Sequence, residues 1–319
     1  MMNPENRIPQ RTFIDTLRLF FKKFQHYLPL PGNKRIGLAL GSGAARGLAH
    51  VGVINVLNEI GIKIDAISGC SIGALIGAFL AAGKLDVLRE HLSVLTMREQ
   101  LRFVDLLFPK SGLVEGRRIE RFLRDHLGKK TNIEDLPMKF ACVATDYNTG
   151  TEVIFKEGDL AGAVRASISI PGIFQPVPMN DMLLIDGGVV NPVPVQVVRD
   201  LGADYVIAVD ISPKVPEYNM EINIKYGHAE KPGDESIPNI FEIIQGSINI
   251  MSAEINRMRL KRERPDILIT PDLDYLGLFD FYRYNLGVKE GERAACEEID
   301  RIERFIKRKG RFTFGRKET

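Results

Sequence analysis

The chain has 319 residues, 45% of them apolar and 26% charged, and its net charge is +2. That length can bury a large core, as one big α/β domain or two smaller ones, and the near-neutral balance gives no electrostatic case for a nucleic-acid partner. Three scattered cysteines without a C-x-x-C (Cys70, Cys142, Cys296) argue against a disulfide framework or a zinc site, and for a reducing compartment.

Residues 11–28 place Phe13, Ile14, Leu17, Phe20, Phe21, Phe24, Tyr27 and Leu28 on one helical stripe. Arg11, Asp15, Arg18, Lys22, Lys23 and Gln25 take the other side, and Pro29 and Pro31-Gly32 stop the helix. Such a stripe docks on the protein's own core or a second subunit, or it lies in a lipid interface. Both chain ends are basic: residues 1–35 carry seven Lys/Arg against two acids, and residues 301–319 eight against two. No apolar run approaches the ~18 residues of a membrane-spanning helix, and no signal peptide is read. A cytoplasmic location is expected; on the lipid reading of residues 11–28 the chain is also peripheral at the inner face of the membrane.

From Arg35 the pattern alternates. Ile36 to Leu40 reads as a strand, Gly41 to Gly47 as a glycine-rich turn and Leu48 to Glu59 as a helix. The run Ile62 to Ser68 is strand-like, and Ala74 to Ala82 is helix-like. Residues 84–137 read as mostly helical and polar. Strands are expected at 140–145, 151–155, 182–185, 205–210 and 266–270. Helices are expected from Asp159, a capping residue, to Ile168, over 194–201 and 238–261, and from Leu286 to Lys307. Residues 213–236, rich in Pro, Gly and charge, read as a flexible loop. Alternating short apolar strands and helices predict a three-layer α/β/α fold with a mainly parallel central sheet.

Between the second strand and its helix stands Gly69-Cys70-Ser71-Ile72-Gly73. G-x-S-x-G at a strand-to-helix junction is the pattern of a nucleophile elbow, a tight turn that lifts a serine hydroxyl clear of its neighbours. The competing reading is a core serine in an ordinary turn. A serine that transfers acyl groups needs a base, oxyanion donors and a pocket. Gly41-Ser42-Gly43-Ala44-Ala45-Arg46-Gly47 offers small residues and a helix N-terminus, so its backbone N–H groups are oxyanion candidates, Gly43 and Ala44 foremost by position. Arg46 either fixes the loop or pairs with a phosphate headgroup. The same loop also resembles a dinucleotide fingerprint one residue too long, with Asp65 as the ribose acid.

Among the histidines, His50 is expected to pack or orient the glycine loop. His228, the only one late enough for a Ser–Asp–His order, sits in polar sequence. Asp186 is the better base candidate: it ends the strand Met182 to Ile185 and precedes Gly187-Gly188, which clear space beside it. An aspartate in an ordinary Asp-Gly turn is the bland alternative. Cys70 is expected to be a buried small residue. No acid cluster has calcium-loop spacing, and neither metal nor cofactor is expected.

In this order, the glycine loop with Arg46, the G-x-S-x-G and the D-G-G resemble the patatin-like phospholipases, in their bacterial branch. Residues 167–174 (SISIPGIF), Pro176-Val177, Asn191-Pro192-Val193-Pro194 and Gly202-Ala203-Asp204 add to the likeness, which covers about residues 35–212 and more loosely the C-terminal third. Many members carry glycine where this chain has Ser42 and Ala44. The resemblance implies a Ser–Asp dyad without histidine, with Ser71 as nucleophile, Asp186 as general base, the 41–47 loop as oxyanion hole and a lipid ester as substrate. With the stripe and the polar loop, the expected division is an N-terminal amphipathic helix and linker (1–34), a patatin-like catalytic core (35–212), a flexible loop (213–237) and C-terminal helices and a strand completing the same domain (238–319). The alternatives from other classes are a non-catalytic membrane-recruited regulator on a hydrolase fold and a nucleotide-binding oxidoreductase.

Overall fold

The structure, a computed structural model, describes residues 34–94, 116–213 and 240–310. The stripe at residues 11–28, His228 and residues 214–236 of the expected loop lie outside them.

One mixed eight-stranded sheet organises the chain. Its strands are β1 (Ile36–Leu40), β2 (Ala66–Cys70), β3 (Lys139–Asp146), β4 (Glu152–Phe155), β5 (Val177–Met179), β6 (Met182–Asp186), β7 (Tyr205–Val209) and β8 (Ile267–Ile269). The order is β5-β6-β3-β2-β1-β7-β8, with β4 pairing β3 off that path. β3, β2, β1, β7 and β8 run parallel, in a register that sets Leu38 beside both Ile67 and Ile207. β1, β2 and β7 are buried at every position, as parallel strands covered on both faces must be. β4, β5 and β6 are antiparallel additions at the β3 side. β5 turns into β6 through Asn180 and Asp181, both at positive φ (48° and 62°), a two-residue turn that twists with the strands. Sequence reasoning missed β5 because Pro176 and Pro178 speak against a strand; β5 ends the sheet's strand order, where proline is tolerated.

Alternation along β1 divides the core. Leu38 and Leu40 join the larger cluster, beneath α1 (Leu48–Glu59), α2 (Ile72–Ala81) and α8 (Tyr284–Gly310). Ala39 faces the smaller cluster with Val195 and Val198 of α6 (Val195–Asp200) and Leu260 of α7 (Ile240–Glu263). Three layers follow. The remaining helices, α3 (Leu85–Ser93), α4 (Arg117–Leu127) and α5 (Leu160–Ser167), contribute to the larger core. Asp159 caps α5 by accepting the Gly162 N–H at 3.1 Å. Among the described residues no helix is long and apolar enough to cross a membrane.

Asp65 does not lie where a ribose-binding acid belongs. It precedes β2, at the opposite end of that strand from Ser71, and accepts the Ile36 N–H at 2.9 Å. The dinucleotide reading therefore loses its acid.

The α1–α8 crossing is unusually close. A Cβ on Gly52 would stand 2.0 Å from Val288 O, and one on Gly291 would stand 2.0 Å from Ala49 O. Backbone meets backbone there, so Gly52→Val must push the helices apart. It is expected to cost about 3 kcal/mol, lowering the Tm by roughly 5–10 °C in a thermal melt. An unchanged melting curve would show that the helices do not cross in this contact.

Candidate active site

Ser71 sits between the last residue of β2 and the first of α2, at φ 55° and ψ −120°. A non-glycine residue there costs on the order of 1–3 kcal/mol, and packing must hold it. The two elbow glycines make that packing possible. A Cβ on Gly73 would lie 2.2 Å from Leu40 O, and one on Gly69 would lie 2.4 Å from Gly73 O, so any side chain would break the turn. Ser71 O accepts the N–H groups of Ala74 (2.9 Å) and Leu75 (3.1 Å). Its own N–H donates to Ser167 Oγ at 3.0 Å, at the end of α5.

Asp186 ends β6, and its carboxylate meets the serine: Ser71 Oγ donates to Asp186 Oδ2 at 2.5 Å. The pair is 115 positions apart in sequence. Register explains the meeting. Cys70 pairs with Val143 of β3, and the next β3 residue, Ala144, pairs with Asp186. Gly188 N–H donates to Asp186 Oδ1 at 2.7 Å, Thr145 Oγ1 donates to Asp186 O at 2.9 Å, and Asp186 N–H donates to Ser169 O at 2.9 Å. Gly187 lies against the β3 backbone, where a Cβ would be 2.3 Å from Val143 O. Only 6% of Asp186 and 4% of Ser71 is exposed. Burial pushes the Asp186 carboxyl up to about 6, against the lowering pull of the Ser71 and Gly188 hydrogen bonds. The neighbouring Cys70 is fully buried, and burial followed by the Asp186 charge drives its thiol well above the ordinary range, so it stays protonated.

The glycine loop is strung between fixed points. Gly41 N–H donates to Val209 O (3.1 Å), Ser42 N–H to Pro192 O (2.9 Å), Ala45 N–H to Leu278 O (3.0 Å) and Arg46 N–H to Gly43 O (3.1 Å). The Gly43 and Ala44 N–H groups find no acceptor among the described residues. Both residues line the same cleft as Ser71. Ala44 takes φ 49°, a left-handed conformation that costs about 1 kcal/mol for alanine. Glycine at this position would carry no such strain.

His50 Nε2 donates to Gly41 O at 2.8 Å. Burial lowers its ring to about 4, so it is neutral and holds the loop. Arg46 donates from Nε to Leu276 O at 3.2 Å, which ties the loop to the segment before α8, and it also lines the cleft. Gly47 is buried against Ile72.

The cleft opens to solvent. Ile170, Pro171, Ile173, Val189, Leu278 and Phe279 give it apolar walls, and α7 closes one side with Gln245, Ile248, Asn249, Ser252 and Ala253. The structure brings Ser71, Asp186 and the loop, the site residues expected from the sequence, into one cleft. Sequence reasoning missed Ser167, which showed only as part of a resemblance without a role, and it missed the α7 wall, which no spacing connects to the elbow. Among the described residues no group of three or more His, Cys, Asp or Glu could hold a metal.

The sequence profile of the patatin-like phospholipase family matches residues 38–199, from β1 through α6. An uncharacterised NTE family protein of Mycobacterium tuberculosis is 42% identical over 192 residues, covering 60% of this chain and 53% of that one. A patatin-like phospholipase domain-containing protein of Caenorhabditis elegans is 39% identical over 293 residues, covering 85% of this chain and 21% of that one. The chain thus spans about half, or less, of the curated relatives it matches. Among solved structures, VipD from Legionella pneumophila superposes with a TM-score of 0.44 at 14% identity, over 85% of this chain and 67% of that one.

Ser167 is the brace that sequence reasoning overlooked. Ser167→Ala leaves the buried Ser71 N–H without an acceptor, at a residue already strained. Unfolding free energy should fall by about 1–3 kcal/mol in urea titration. A loss below about 0.5 kcal/mol, within ordinary surface scatter, would show that Ser167 does not hold the elbow.

Proposed function

The chain belongs to the patatin-like phospholipase family, and on that premise we propose that it is a serine hydrolase cleaving the fatty acyl esters of phospholipids, lysophospholipids or similar lipids. The observation that carries the proposal is the 2.5 Å hydrogen bond from Ser71 Oγ to Asp186 Oδ2, with two unused backbone N–H groups in the same cleft.

In the proposed reaction Asp186 Oδ2 takes the Ser71 proton as Oγ attacks the ester carbonyl. The carbonyl π electrons move onto oxygen, and that oxyanion faces the Gly43 and Ala44 N–H groups at the start of the helical turn leading into α1. Collapse of the intermediate expels the alcohol, which takes its proton from Asp186. Asp186 then accepts a proton from water as the water attacks the acyl-serine. The fatty acid leaves and Ser71 regains a proton from Asp186. A carboxylate titrating near 6 is a stronger base than an ordinary aspartate and is still charged at pH 7, which suits this double use. Positioned donors of this kind contribute on the order of 10²–10³ in rate, and a positioned base about 10²–10⁴. The apolar walls of the cleft suit an acyl chain.

Both dyad members are testable separately. A fluorophosphonate probe should label the wild-type chain and leave Ser71→Ala unlabelled; persistent labelling would exclude Ser71 as the reacting group. Asp186→Asn should lower turnover at least about 10³-fold with the fold intact, and normal turnover would remove Asp186 from the chemistry.

Protonation of Asp186 gives two opposed pH trends. Activity requires the carboxylate, so kcat/KM should rise with a midpoint of about 6 and level off above about 7. The raised folded-state value means that Asp186 favours folding below its unfolded value near 4, and that this contribution is lost as pH rises through about 6. Asp186→Asn should therefore gain stability relative to wild type across that window. A pH-independent stability difference would contradict the buried charge, and a flat rate profile from pH 5 to 8 would contradict the base.

A further inference from the structure

Helix α7 is built the wrong way round for a surface helix. Its inward face mixes buried amides with Ile248, Ala253 and Leu260: Gln245 is buried and donates to Pro171 O at 2.7 Å, and Asn256 is buried and donates to Ser212 Oγ at 3.1 Å. Its outward face is apolar: Ile243, Ile244, Ile250, Met251 and Met258 are 45–62% exposed. A water-facing helix ordinarily shows the reverse pattern. No charged residue occurs from Ile243 to Ala253. Glu254, the first acid after that run, is neutralised by Arg257 at 2.7 Å. Glu263 is paired with Arg259 and Arg262, and Lys261, Arg262 and Arg264 stand exposed at the far end.

We propose that this outward face is a lipid-docking surface that holds the α7 wall of the cleft against an anionic bilayer. Three features favour a bilayer over another protein. The exposed patch amounts to roughly 500 Å², the size of a functional surface patch and short of the ~800 Å² per partner of a stable protein interface. Its described charge leans positive, with Glu254 and Glu263 ion-paired and Lys261 and Arg264 adding exposed cations at the end of the helix past Met258, as anionic headgroups favour. The opposite side of the same helix walls the cleft with Ile248, Asn249 and Ser252, so a bilayer on α7 lies within about one helix diameter, ~10 Å, of the cleft. The choice of occupant rests on reading the site as a lipid-ester hydrolase; the inverted face does not.

The test uses the full chain carrying Ser71→Ala, so that lipid is not consumed, and co-sedimentation with phosphatidylcholine vesicles containing phosphatidylglycerol. Ile250→Glu and, separately, Met251→Glu should each weaken binding about tenfold, and Ile250→Leu should leave it unchanged. In the Ser71 chain the same Glu substitutions should lower hydrolysis of vesicle phospholipid while leaving that of water-soluble p-nitrophenyl butyrate unchanged. Unaltered vesicle binding in both Glu variants overturns the proposal. So does an oligomer of the parent chain that either variant dissociates, since the face would then join copies. Vesicle binding with no ester hydrolysis by the Ser71 chain would sink the catalytic reading and leave the docking surface standing.

Discussion

The hydrogen bond between Ser71 Oγ and Asp186 Oδ2 depends on one constraint, the register of β3 between its two neighbours. β2 delivers the serine at the end of a parallel pair, and β6 delivers the aspartate from an antiparallel one. A one-residue slip of β6 against β3 would turn Asp186 to the other face of the sheet, and a slip of β2 would carry Ser71 out of level with it. The Ser167–Ser169 segment reinforces that register from above: Ser167 Oγ accepts the Ser71 N–H and Ser169 O accepts the Asp186 N–H. Arg165 in turn donates to Ser169 Oγ at 2.6 Å and to Gln175 O at 3.1 Å. One short stretch of chain therefore fixes both partners.

The arrangement carries two standing costs. Ser71 and Ala44 are held at positive φ, and Asp186 is held away from water. Each is a local loss of order 1 kcal/mol or more that the surrounding core must offset. The backbone contacts of Gly73 and Gly187 leave those residues nowhere to relax. Strain and a raised carboxyl value occur together at one spot, as expected where a fold has been shaped around chemistry.

Much of this was legible in the sequence, for local reasons. Alternating apolar runs announced the sheet and its covering helices, and α1 begins and ends where periodicity put it. The elbow was legible because its glycines are dictated by contacts within a few residues. Asp186 was reached by a weaker route: an acid at the C-terminal end of a strand suits a parallel sheet, yet β6 runs antiparallel, and only β3 brings it level with Cys70. The same rule misled at Asp65, because β2 starts later than its apolar run suggested and leaves that acid at the far end. Ser167 and the polar face of α7 were invisible because their partners lie about 75–95 positions away, at Pro171 and Ser71.

Helix α7 links the buried Ser71–Asp186 cleft to the surface, since it presents Gln245 and Asn249 to the cleft and apolar side chains to the outside. The central claim, however, concerns the cleft. Its most direct test is a crystal structure of the chain after reaction with a long-chain fluorophosphonate. The account predicts phosphorus bonded to Ser71 Oγ, with the phosphonyl oxygen about 3 Å from the Gly43 and Ala44 nitrogens and the alkyl chain along the apolar walls. Phosphorus on another residue, or an oxygen turned away from the glycine loop, would contradict it.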